Sequence, residues 1–171
     1  MNFLTEYNIA VPEFSHTESG AIKNKINTTF QFYLTVFNYL PEEINKQLNV
    51  NYDYNSSLAY HKVFSMQDSS LFLNESMVNA FNMCDPEEFK SIVRIAYKIN
   101  AILKPFFERR KFLLLSCNIL FGKFEEKLVV IGDFSPFSLK ISENLENTGL
   151  EFNNNKELIK YLKNIERIIK S

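Results

Sequence analysis

Residues 118–137, NILFGKFEEKLVVIGDFSPF, decide how this 171-residue chain is read. Two apolar arms, Asn118-Ile119-Leu120-Phe121 and Leu128-Val129-Val130-Ile131, flank a short polar stretch with one glycine, the pattern of a β-hairpin. Extended outward, the arms cover Lys111–Phe121 and Lys127–Phe134, and GKFEE joins them as a four- to five-residue loop. The second arm runs through Gly132 into Asp133. An aspartate at the exit of an apolar strand is a place to hold a metal or a phosphate. The plainer role for Asp133 is to cap the strand exit on the backbone N–H groups of Ser135 or Phe137.

Upstream of the hairpin, CDPEEFKSIVRIAYKINAILKPFFERR carries the clearest helix signal. Asp85 suits the cap, Pro86 the first helical position, and Glu88 sits three residues after the cap. Phe89, Ile92, Val93, Ala96, Ile99, Leu103 and Phe106 then form a stripe facing the core, with Pro105 awkward in the last turns. A helical turn is expected over 76–81, and residues 49–70 read as a long connection with one short strand around Ala59–Phe64. Residues 21–40 show apolar positions at three- and four-residue steps, from Ile22 through Phe30 and Phe37 to Leu40, which predicts a second helix. Pro41-Glu42-Glu43 ends it or starts a short one through Gln47, and residues 1–19 are expected to be extended. Asn154–Lys170 predicts a third amphipathic helix with Leu158, Ile159, Leu162, Ile165 and Ile169 inward. The sum is an α+β fold, three main helices against a small antiparallel sheet, in a single domain over 1–171.

Composition narrows the function classes. A net charge of −1 gives no global attraction to nucleic acid or an anionic membrane. No apolar run is long enough for a transmembrane helix, and no export signal opens the chain, so a cytoplasmic location is expected. Cys84 and Cys117 stand far apart, without CxxC spacing, and read as reduced, buried side chains. His16 and His61 are isolated. The four glycines, Gly20, Gly122, Gly132 and Gly149, never cluster, so neither GxGxxG nor GxxxxGK[ST] occurs. Any nucleotide site lacks the loop that brings backbone N–H groups close to phosphates.

Residues 74–140 begin NESMVNAFNMCDPEEF, continue through YKIN, FG and VVIGDFSP, and end at Lys140. This order resembles the SAICAR synthetase family, the ATP-dependent ligases of purine biosynthesis, whose members carry NES, YKAN, a strand like LILVDFKLEFG and one like VVLGDEFSPDGSR. A weaker match, SGAIKNKINTTFQFYLTVFNYL, resembles the family's KGxxNNKIS…FxYL segment, with Gly20, Asn24, Lys25 and Asn27 on the pattern. The resemblance implies a SAICAR synthetase-like, reduced fold matching the C-terminal part of the family, with the N-terminal lobe that covers ATP largely missing. It also implies ATP and Mg²⁺ as cofactors of an active member. Asp133 is then the metal ligand, while Lys25, Lys140 and Asn24 bind nucleotide or phosphate.

The departures matter as much. Where the family's strand reads Asp, Lys and Glu, this chain has Ser116, Asn118 and Leu120. By the resemblance the lysine lies near the nucleotide phosphates and the glutamate helps to hold magnesium. Leu120 offers Mg²⁺ no oxygen, and Asn118 brings no charge to a transferring phosphoryl group. Phe134 follows Asp133 where a glutamate is expected, Phe137 replaces an aspartate, and Lys140 falls near an arginine position. The family's basic VRNRAAGS loop has no counterpart. Three readings stay open. The first is a degenerate member without ligase activity, serving as a binding, regulatory or partner-interaction module and holding no cofactor. The second is a compact ligase making SAICAR from CAIR, aspartate and ATP, with Glu75 or Asp85 replacing lost ligands. The third is an unrelated α+β interaction domain that uses Tyr52-Asp53-Tyr54 as contact or tether. Uncovered strand edges imply a homodimer or a protein partner in each case.

Overall fold

The computed structural model describes residues 2–12, 14–16, 22–24, 26–55, 57–131, 138–143 and 163, and for 2, 3, 14–16, 22–24 and 43 the backbone alone. The hairpin forms from strands β6 (Leu113–Phe124) and β7 (Lys127–Val130). Its turn is only Glu125-Glu126, with φ of 48° and 61°. Two positive φ values in a two-residue turn match the right-handed twist of the strands, and glutamates fill them here without the usual Asn-Gly signal. The expected GKFEE loop is therefore mostly strand. Gly122 lies inside β6 at a close crossing, where an added Cβ would sit 2.8 Å from the Thr28 carbonyl oxygen and 3.1 Å from Ile26 Cγ2.

The expected helix over 21–40 does not form. Residues Ile22–Asn24 are strand β2, paired with β1 (Phe14–His16), and Thr28–Phe37 is the long strand β3. Its composition, Thr-Thr-Phe-Gln-Phe-Tyr-Leu-Thr-Val-Phe, is β-branched and aromatic, which suits a pleated surface. A central strand is apolar on both faces, so spacings of three and four arise by accident and imitate a helix stripe. β3 pairs antiparallel with β4 (Tyr60–Ser65) on one side and with β6 on the other. With β5 (Phe72–Leu73) the order is β5-β4-β3-β6-β7, and β8 (Leu139–Ser142) pairs with the first half of β6. The fold is α+β, as the sequence implied.

Among the described residues the helices are α1 (Asn2–Thr5), α2 (Glu42–Leu48), α3 (Glu75–Ala80) and α4 (Pro86–Glu108). The Asp85 side chain caps α4 by accepting from the N–H groups of Glu87 and Glu88, and the helix continues past Pro105 to Glu108. Asn74, of the NES motif, caps α3 by accepting from Met77 N at 2.9 Å. The helix expected over Asn154–Lys170 lies outside the described residues, apart from helical Lys163.

α4 lays Phe89, Ile92, Ala96, Ile99, Leu103 and Phe107 on one face of the sheet, against Phe32, Leu34, Val36, Cys117, Ile119 and Phe121. The Phe32 and Phe89 rings meet edge to face at 5.9 Å. Each large aliphatic or aromatic side chain of this set contributes roughly 1.5–3 kcal/mol by leaving water, which makes this layer the main source of stability. One polar pair sits inside it. Asn38 and Asn100, 2% and 5% exposed, exchange amide hydrogen bonds of 2.8 Å in both directions, and Asn38 Nδ2 also donates to the Leu114 carbonyl at 3.0 Å. The YKIN asparagine thus clamps helix α4 to the end of β3.

Candidate functional site

Side chains alternate across a strand, so residues one step off the buried set point away from α4. The register aligns them into three rungs on this second face, where Thr35 and Ser116 are buried. The first runs Phe72, Phe64, Tyr33, Leu120; the second Lys62, Thr35, Asn118; the third Tyr60, Phe37, Ser116, Lys140. Ser116, Asn118 and Leu120, the three positions where the resemblance implies catalytic chemistry, are therefore neighbours on one face of β6.

The outer rungs are aromatic. Tyr33 stacks on Phe64 with centroids 5.5 Å apart, and Phe37 stacks on Tyr60 at 5.0 Å with planes 11° apart. Burial raises the Tyr33 hydroxyl above its ordinary pKa and pushes Tyr60 up to about 12, so both stay neutral donors. The middle rung is polar. Thr35 Oγ1 donates to Asn118 Oδ1 at 2.8 Å, and Lys62 Nζ lies 5.9 Å from the centre of the Phe37 ring. Asn118 N donates to the Ser138 carbonyl at 2.7 Å, which ties β8 to this part of the face.

These groups do not fit Mg²⁺. The ion wants hard, preferably anionic oxygens in an octahedral set. β6 offers one hydroxyl, one amide oxygen already accepting from Thr35, and a leucine. Among the described residues no group of three or more His, Cys, Asp or Glu side chains is placed to hold a metal. Glu75 is exposed, and Asp85 Oδ1 accepts both hydrogen bonds of the α4 cap.

Of the site residues named from sequence, Lys140 lies on β8 opposite Ser116. Asn24 is in β2, away from the six-stranded sheet's pairing, with its backbone alone described. Lys25 and Asp133 lie outside the described residues. Lys62 and Thr35 were not singled out, although the alternation in YHKVFS places Lys62 with Tyr60 and Phe64. His61 faces the other way, with Nδ1 3.0 Å from the Tyr97 hydroxyl of α4. Tyr52-Asp53-Tyr54 is a tether more than a contact, since Tyr54 is buried and its hydroxyl accepts from Leu114 N at 3.1 Å. Among the described residues no helix is long and apolar enough to cross a membrane.

An antiparallel sheet backed by α4, with Ser116, Asn118 and Leu120 together on its other face, accords with the α+β, SAICAR synthetase-like fold that the resemblance implies. Comparison with known proteins agrees. The sequence profile of the SAICAR synthetase family matches residues 59–160, more than half of the chain. A phosphoribosylaminoimidazole-succinocarboxamide synthase of Pseudomonas paraeruginosa is 35% identical over 65 residues, which are 38% of this chain and 28% of that protein. A SAICAR synthetase solved by structural genomics superposes with a TM-score of 0.79 at 17% identity, over 99% of this chain and 78% of that one. A SAICAR synthetase solved in complex with ADP gives 0.77 at 20% identity, over 99% and 76%. The chain belongs to the SAICAR synthetase family. Its sequence match covers well under two thirds of the length of that bacterial relative.

Proposed function

We propose that this chain is a SAICAR synthetase-like protein that has given up the ligase reaction and retains the scaffold as a binding or regulatory module, working in the cytoplasm, alone as a homodimer or with a protein partner. The observation that carries this reading is the middle of β6. Joining a carboxylate to an amine with ATP needs cations around the transferring phosphoryl group and oxygens around Mg²⁺. Ser116, Asn118 and Leu120 occupy the positions where the resemblance implies Asp, Lys and Glu. Asn118 is committed to Thr35 at 2.8 Å, so it is part of the sheet's own bonding. Leu120 lies beside Tyr33 in an aromatic rung.

One observation favours a second reading, a compact ligase making SAICAR from CAIR, aspartate and ATP. Lys140 and Lys62 leave two cations on the second face. In that reading Lys140 and Lys25 face phosphates, Asn24 lies near them and Asp133 holds Mg²⁺. Calorimetric titration of the full chain with ATP, with and without Mg²⁺, separates the two. The expected result is no heat up to millimolar nucleotide. Mg²⁺-dependent binding with Kd at or below roughly 100 μM, lost in Asp133→Ala, would overturn the first reading and establish the second.

A further inference from the structure

The two faces of the sheet are unequal. Helix α4 covers one, and the three rungs make up the other. We propose that this second face docks an amphipathic helix of a different protein, one whose apolar stripe is bordered by acidic residues. Such a helix is one kind of protein partner that the function proposed above admits, and its docking rests on that reading.

The first rung ends in exposed apolar surface. Phe72 is 50% exposed. Met66 continues the alternation of β4 by one step, bonds through its N–H to the Gln31 carbonyl at 2.9 Å, and is 45% exposed. The Phe72 and Phe64 ring centres are 6.4 Å apart, so the exposed end is continuous with the Phe64–Tyr33 stack. One rung away, a step of about 7 Å along the strands, the surface turns cationic. The three rungs hold Lys62 and Lys140 and no aspartate or glutamate. Among the described residues neither lysine has a carboxylate partner, whereas Lys46, Lys90 and Lys123 each have one. Lys62 is exposed and Lys140 half-buried. An apolar row beside unbalanced cations complements an apolar row beside carboxylates, and an amphipathic helix with an acidic flank carries both.

The same features disfavour other occupants. A second copy laid face to face would bring each lysine to a surface without a carboxylate. A single-stranded nucleic acid needs free ring faces for its bases, and here the rings engage one another, Tyr33 with Phe64 and Phe37 with Tyr60. A pleated sheet surface is open, unlike the concave sites that enclose small molecules.

The test uses two capped synthetic helices of about 14 residues with the same leucine stripe at i, i+3, i+4 and i+7. One carries glutamates along the edge of the stripe, the other lysines. In an NMR titration of the full chain the glutamate peptide is expected to shift the amide signals of Lys62, Phe64 and Phe72 saturably at sub-millimolar concentration. The lysine peptide should bind about tenfold more weakly. Phe72→Ser, at a half-exposed position, should weaken the glutamate peptide several-fold with little change in Tm. Lys62→Glu with Lys140→Glu should reverse the preference, a result that unfolding cannot mimic. Absence of saturable shifts with the glutamate peptide, equal binding of both peptides, an unreversed preference in the folded double variant, or tighter binding of oligouridine would overturn the proposal. Any of these outcomes leaves the loss of ligation standing, because that reading falls only to Mg²⁺-dependent ATP binding that disappears in Asp133→Ala.

Discussion

Replacing Asn100 by alanine tests the view that YKIN is a structural clamp. The substitution removes both 2.8 Å amide bonds with Asn38 and leaves Asn38 Oδ1 buried without that donor, while Asn38 Nδ2 keeps the Leu114 carbonyl at 3.0 Å. A stranded buried polar atom costs about 1–3 kcal/mol, and the lost packing at a 5%-exposed position adds about 1. We expect about 3 kcal/mol, which in a chain of this length lowers Tm by roughly 6–12 °C. Urea unfolding followed by far-UV circular dichroism should show a lower midpoint with an unchanged m-value. Asn38→Ala should cost at least as much, since it strands Asn100 and the Leu114 carbonyl together. In the double variant the two asparagines no longer strand each other, so its cost should fall short of the sum by at least about 1 kcal/mol. A cost below about 0.5 kcal/mol for Asn100→Ala, or strict additivity, would refute the clamp.

Two further outcomes follow from other parts of the fold. Gly122→Ala should destabilise by about 1–3 kcal/mol, because the new methyl meets the Thr28 carbonyl at 2.8 Å and backbone does not yield cheaply; an unchanged urea midpoint would show that the crossing is loose. Burial holds the His61 imidazole below its ordinary pKa of 6.5, so the unfolded chain binds its proton first. Stability from this group is present above pH 6.5 and falls as pH drops through the lower folded value. Tm should therefore decline between pH 7.5 and pH 5 more steeply in the wild type than in His61→Gln, and equal slopes would remove His61 from the account.

Local chemistry made some elements legible and non-local pairing hid others. Asp85-Pro86 announced α4 because capping and proline's fixed φ act within a few residues. The β6–β7 hairpin was legible from its apolar arms, though two glutamates at positive φ concealed the tight turn. β3 was misread because its burial on one face comes from α4, its aromatic stacking on the other from β4, and its second pairing from β6, all distant in sequence. At the site, alternation alone was enough to put Ser116, Asn118 and Leu120 on one face. Thr35 and Lys62 joined them only through cross-strand register, which no local pattern encodes.

The family motifs sort by what their residues do in this fold. Asn74 caps α3, Asn100 clamps α4 to β3, and Gly122 lets β6 pass the Thr28 carbonyl; all three keep the family's letter, and all three hold the scaffold together. Ser116, Asn118 and Leu120 depart from it, and all three lie on the face of β6 turned away from α4. The division accords with the function proposed above, a scaffold kept without the ligase reaction. Asn118 also serves the scaffold. Its amide oxygen accepts from Thr35 within the polar rung, so restoring a lysine there would break a bond of the sheet as well as add a charge. An Asn118→Lys substitution would take the Asn118 Oδ1 acceptor from Thr35 and leave Leu120 still without an oxygen for Mg²⁺.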